Sequence, residues 1–301
     1  MNVRDSLLAC LVAVIWGFNF VVIAWGLDGL SPSLFVALRF VLVIFPAVLF
    51  IPRPAAPMKD VALVGLFMSL GQFALVYTAI DLGLSAGLAS LVLQAQVMFT
   101  ILFAALALRE RPSTLQVVGV SVGMAGLLVV ALGRSGSTPL DALLVCLGGA
   151  LSWGWGNVIA RRLGVASGLS MTVWSGVVVP LPLIGLALVL DGPAEVLSQV
   201  QHIDARVLAS ASFTALAASL LGYSIFNSLL ARHPASTVIP FTLLVPPVGI
   251  LSAWLLLHET PNAFELLGGA ILLAGVGVTL LRRPATLGVR RAAALAQVGQ
   301  R

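Results

Sequence analysis

The sequence predicts an all-α integral membrane protein, with ten transmembrane helices arranged as two inverted five-helix repeats. Three observations lead there. First, 60% of the 301 residues are hydrophobic and only 9% are charged, with a mean hydropathy of +1.10, far from the balance of a water-soluble domain. Second, apolar runs close to the roughly 20 residues of a helical crossing lie at residues 6–26, 31–51, 60–80, 84–107, 113–133, 141–161, 168–190, 206–230, 234–257 and 262–281. These runs lack the ten-residue alternation of barrel strands. Third, the stretch from Ala86 to Leu132 recurs without a gap from Ala235 to Leu281, with Ile101/Ile250, Leu108/Leu257, Glu110/Glu259, Pro112/Pro261, Gly119/Gly268 and Gly126/Gly275 in step.

The odd number of spans per repeat puts Glu110 and Glu259 on opposite sides of the membrane, so the halves are inverted about an axis in its plane. Among loop and terminal Arg and Lys residues, only Arg134 and Arg206 lie on the side opposite the N-terminus. Basic residues in short loops stay inside, so both termini are expected to be cytoplasmic. A signal peptide is the rival reading of residues 1–27. No small-residue cleavage site ends that run and a second span follows at once, so it is kept as span 1. The expected organisation is 1–135 for the first repeat, 136–284 for the second and 285–301 for a basic cytoplasmic tail, in the inner (cytoplasmic) membrane of a bacterium.

Taken in order, span 1 holds Trp16 at mid-depth with Asn19 one turn away, and span 6 repeats the pair as Trp153 and Asn157. These spacings put each pair on one helical face, either packed between helices or lining a cavity. Span 2 contains Arg39, the one charge well inside a span, about 12 Å from its start at helical rise. It pairs with Asp81 or helix-end carbonyls, snorkels outward, draws a substrate carboxylate, or controls the outer gate. Span 3 offers Ser69, Gln72 and then Tyr77, and span 4 offers Ser90 and Gln94, with Gln96 turned away. Span 8 presents Ser219, Tyr223 and Asn227 at steps of four. Polar side chains in hydrocarbon must face protein or water, so these stripes point into the bundle. Spans 5 and 10 follow Glu110-x-Pro112 and Glu259-x-Pro261, read as helix starts with the carboxylate near the positive dipole end. Their glycines, Gly119, Gly123, Gly126, Gly268 and Gly275, read as packing seams. Pro240, Pro246 and Pro247 in span 9 free carbonyls at membrane depth, which suits a bend or a cavity wall.

The remaining inventory narrows the chemistry. The net charge of +5 is spread over short loops and fits topology and anionic lipid rather than nucleic acid. No phosphate-binding loop is present, and His202, His233 and His258 lie at or near span ends without forming a metal-ligand pair. No span carries the paired aspartates, serine and base, or zinc motif of an intramembrane protease. No enzyme activity, cofactor or metal is expected. Cys10 and Cys146 fall near opposite span ends and should not pair.

At these residues the chain resembles the drug/metabolite transporter superfamily and, within it, the EamA family. The motifs are Tyr77-x-Ala79, Glu110-x-Pro112, Gly119 and Ala125-Gly126, echoed by Tyr223, Glu259, Gly268 and Ala274-Gly275, with Trp16-Gly17-x-Asn19-Phe20 and Leu38-Arg39-Phe40. The run from Ala86 to Gln96 is similar to that of amino-acid and metabolite exporters of the EamA and YddG type. One departure is Val97, where the second repeat has Pro246. The resemblance implies export of small amino acids or related metabolites through a central cavity lined by spans 1, 3, 4, 6, 8 and 9. The expected substrate-binding residues are Trp16, Asn19, Tyr77, Gln94, Met98, Trp153, Asn157, Tyr223 and Asn227. Arg39 and Asp81 are the expected gating or structural ion pair. Adaptable apolar contacts and neutral hydrogen bonds discriminate poorly, so a broad substrate range is expected. The rival functions are a multidrug or other metabolite exporter of the same superfamily and, from another class, a channel or scaffold subunit. Membrane lipid is the other expected partner; the sequence is silent on oligomeric state.

Overall fold

The computed structural model describes residues 1–133, 139–163 and 168–281; the expected tail at 285–301 lies outside them. Among the described residues ten helices long and apolar enough to cross a membrane follow one another: α1 (Val3–Leu27), α2 (Pro32–Phe50), α3 (Met58–Asp81), α4 (Ala86–Ala107), α5 (Thr114–Leu132), α6 (Leu140–Leu163), α7 (Gly168–Leu190), α8 (Ala205–Arg232), α9 (Ile239–Leu257) and α10 (Ala263–Leu280). A short helix, Pro193–Gln201, bridges α7 and α8, and its Gln199 Oε1 accepts the Ser31 N–H at the entry to α2.

Packing follows the inverted duplication. Helix α1 packs on α8 and α9, and its counterpart α6 packs on α3 and α4; α2 meets α7, α4 meets α9 and α5 meets α10. Each relation maps onto itself or its mate when the two halves are exchanged, as an in-plane two-fold requires. The first helix of each repeat is thereby wedged into the other repeat. Gly17 and Gly154, each directly after the mid-span Trp, make this approach feasible. A Cβ on Gly17 would lie 2.7 Å from the Val245 carbonyl oxygen of α9, and one on Gly154 would lie 2.8 Å from Phe99 Cβ of α4.

The glycine seams of α5 and α10 face each other. A Cβ on Gly119 would sit 2.6 Å from the Gly275 carbonyl oxygen, and one on Gly268 would sit 2.7 Å from that of Gly126. Backbone rests on backbone, which only small residues permit.

The helices are irregular where the repeats meet. Helices α3 and α8 wind as π-helix over Gly65–Gly71 and Phe213–Leu221. Helices α4 and α9 tighten to 3₁₀ over Leu93–Ala95 and Ile239–Leu244. Although the first repeat has Val97 instead of proline, both fourth helices carry the interruption. Helix α2 breaks before Pro46, where Phe45 is extended at φ −105°, ψ 126°, the conformation that a following proline imposes.

The Glu-x-Pro pairs do not cap their own following helices. Ser113 and Asn262 do, each in a reciprocal capping box with Gln116 or Glu265. Glu259 instead accepts the Ala86 and Gly87 N–H groups at the start of α4, at 3.0 and 3.2 Å. Glu110 pairs at 3.0 Å with Arg161 at the end of α6. The dipole argument therefore holds for Glu259, but with a helix of the other repeat.

Candidate functional site: a central cavity between the repeats

A cavity of about 370 Å³ lies where α1, α3, α4, α6, α8 and α9 converge, with α2 contributing one side chain. Its wall holds Trp16, Asn19, Gln94, Trp153, Asn157, Tyr223 and Asn227 together. The one-turn spacings thus place seven of the nine expected substrate residues around one space.

The irregular backbone sets these side chains. A π turn bonds i to i+5, and carbonyls in these segments also accept side chains from the other helices, that of Phe67 doing so beside the Gln72 N–H it already takes. In α8 the Ala218 carbonyl accepts the indole N–H of Trp16 at 2.9 Å, and in α3 the Phe67 carbonyl accepts the Ser152 hydroxyl at 2.8 Å. Gly222 makes room for the Trp16 indole, since a Cβ there would approach Nε1 to 2.6 Å. The Trp16 ring then lies 5.2 Å from both Tyr223 and Phe226, forming an aromatic corner of the cavity. In α9 the Thr242 carbonyl receives the Gln94 amide at 3.4 Å.

Asn157 donates to Gln96 Oε1 at 2.9 Å and to Thr100 Oγ1 at 3.1 Å, and Gln96 also lines the cavity. Sequence spacing had turned Gln96 away from Gln94. In a regular α-helix the two are about 160° apart around the axis, but a 3₁₀ step narrows that to about 120°. The same wall includes Phe73, Phe226 and Thr242, which mere hydrophobic or β-branched character does not single out. Asn19 is buried, and its Oδ1 has no hydrogen-bond partner.

Three expectations are corrected. Met98 is buried with its thioether against Gly123 of α5, because the phase change at Leu93–Ala95 turns it behind the cavity. Tyr77 is also fully buried and outside the lining; its hydroxyl accepts from Arg39 Nη1 at 2.9 Å. The Arg39–Asp81 ion pair is not formed. Arg39 turns inward to Tyr77 and to Ser219 Oγ, at 2.9 Å, whereas Asp81 stays exposed at the end of α3, away from the buried guanidinium. Asp81 borders a separate cavity of about 500 Å³ with Asp28, Glu259 and Glu265.

Fold and cavity together define a multi-pass membrane protein built from two inverted repeats around one central chamber. The chain matches the EamA-like transporter family twice, over residues 5–132 and 140–281, and it belongs to that family. It is 38% identical over 286 residues to a Salmonella typhimurium protein named "Probable amino-acid metabolite efflux pump", covering 93% of this chain and 96% of that one. An Escherichia coli protein of the same name is 37% identical, with the same coverage. A "Probable terminal-alkyne amino-acid exporter" of Streptantibioticus cattleyicolor is 30% identical, covering 94% of each chain. A solved structure titled "Crystal structure of protein" superposes with a TM-score of 0.59 over 97% of this chain and 99% of that one at 19% identity, a likeness of fold.

Proposed function

We propose that this protein is a secondary transporter that exports amino acids and related small metabolites across the bacterial inner membrane by alternating access, with both termini cytoplasmic. The observation that carries the reading is the central chamber itself. It lies between inverted repeats, where rocking one half against the other would open either side. Among the described residues its lining is aromatic, aliphatic, hydroxyl and neutral amide, with Arg39 as its one charge and no carboxylate. The named efflux pumps and exporter among its relatives favour amino-acid substrates over drugs. The chamber is large enough for a small amino acid, and among the described residues its wall carries no acid of the kind a dedicated proton relay uses.

Purified protein in liposomes, given a panel of labelled amino acids with and without a pH gradient, tests the reading. Saturable flux accelerated by substrate on the opposite side is expected. Linear, non-saturating flux would make the protein a pore, and saturable flux of drugs but of no amino acid would support the multidrug alternative.

A further inference from the structure

The central chamber contains one full charge. Arg39 is 2% exposed and lines the chamber, and among the described residues no carboxylate lies within ion-pair distance of it. Its two terminal amino groups donate to the Tyr77 and Ser219 hydroxyls, both at 2.9 Å, and neither residue lines the chamber. The Ser219 hydroxyl is itself anchored, donating to the Thr214 carbonyl at 2.9 Å. Phe73 lies beneath the guanidinium, 3.9 Å from ring centroid to Cζ. These contacts hold the group in one orientation without neutralising it. Nε, fully buried, has no acceptor.

A buried cation is ordinarily paired, because an uncompensated charge in a low-dielectric interior is costly. Across the same chamber wall, Asn19 Oδ1 is a buried acceptor with no donor. Among the described residues the chamber wall therefore contains an unpaired cationic donor edge and an unpaired neutral acceptor, and no acid to bind an ammonium group directly.

We propose that Arg39 is the residue that reads the substrate's carboxylate, through its Nε–H and the second N–H of an adjacent amino group, and that Asn19 Oδ1 receives the ammonium group. The substrate class that follows is the zwitterionic α-amino acid. A planar fork suits a carboxylate better than an ammonium head does. The proposal rests on the chamber being the substrate path, and it adds a chemical basis for selection.

The test uses counterflow of labelled leucine in liposomes, with unlabelled leucine, leucinamide and 3-methylbutylamine as competitors. Wild-type protein should favour leucine over leucinamide at least about tenfold, the factor of one moderate charge-assisted contact. Arg39→Gln should raise the leucine KM about tenfold or more and reduce the preference over leucinamide to about twofold, with Arg39→Lys between. Asn19→Leu should weaken leucine and 3-methylbutylamine alike. A wild-type protein with no saturable flux of any amino acid would sink the transport reading itself. With transport intact, an Arg39→Gln protein that keeps its leucine-over-leucinamide preference would overturn the assignment. The double variant Tyr77→Phe/Ser219→Ala guards against a folding artefact, because it removes the anchors and keeps the cation. With the cation kept and only its anchors loosened, it should retain more of the preference than Arg39→Gln does, and a loss as complete as in Arg39→Gln would overturn the assignment and mark Arg39 as a fastener of α2, α3 and α8.

Discussion

At the scale of single residues, the mid-span Trp-Gly pairs combine two jobs in adjacent positions. The glycine lets the first helix of each repeat press against the other repeat, and the indole beside it turns into the chamber. Truncating the indole should therefore cost transport more than stability, because one side of the ring already faces open space. Trp16→Ala and Trp153→Ala are expected to lower amino-acid flux at least about tenfold while the purified proteins remain monodisperse. Wild-type flux in both would leave the indoles as packing groups. Met98 provides the contrast. It is buried against Gly123, so Met98→Leu, a volume-conserving change, should leave KM unaltered and shift stability by less than about 1.5 kcal/mol.

At the scale of helices, function depends on backbone irregularity that comes in matched pairs. The 3₁₀ interruptions of α4 and α9 show that proline is not their sole cause. Pro246 stands in the first turn of the α-helical part of α9, directly after the 3₁₀ segment, so its missing N–H falls at the change of winding and its fixed φ suits the helix that follows. Pro246→Val is accordingly expected to retain transport within about twofold, as the Val97 of the first repeat suggests; a large loss would show that the proline itself sets the bend. The α5–α10 seam is less forgiving. A side chain there meets backbone, which cannot rotate away, so Gly126→Leu and Gly268→Leu should each destabilise by about 1–3 kcal/mol or more. Thermal unfolding in detergent reads the effect, and an unchanged midpoint would mean the helices separate easily.

At the scale of the molecule, the two faces of the bundle are tied differently despite the internal symmetry. On the face carrying the N-terminus, buried Asp5 holds Arg232 and His233 at 3.0 and 2.6 Å, and Glu110 makes an ion pair with Arg161 at side-chain exposures of 40% and 58%. On the opposite face Arg206 and Asp28 make a comparably exposed ion pair at 2.8 Å, and Glu259 in addition clasps two N–H groups of α4. Exposed ion pairs contribute about 0–1 kcal/mol, whereas hydrogen bonds to a charged acceptor contribute about 1.5–3 kcal/mol. Glu259→Gln should thus lower the unfolding midpoint clearly more than Glu110→Gln, and equal effects would refute the difference. Topology reporters should read cytoplasmic at Arg301 and periplasmic at Gly192, from the asymmetry of basic loops.

The sequence by itself determined the helix count, the duplication, its inversion and a set of side chains of which seven of nine fall on the chamber wall. These are properties of composition, parity and one-turn spacing, and they survive any packing consistent with the membrane. The tertiary structure decided what depends on phase and on partners from the other repeat. A 3₁₀ turn rotated Gln96 into the wall and Met98 out of it, and no residue type announces that rotation. Arg39 found hydroxyls on α3 and α8 rather than the carboxylate nearest in depth, because it turns into the bundle while Asp81 stays at the exposed end of α3. Glu259 capped a helix of the opposite repeat because the fold brings the start of α4 against the end of α9, a proximity that spacing along the chain does not encode.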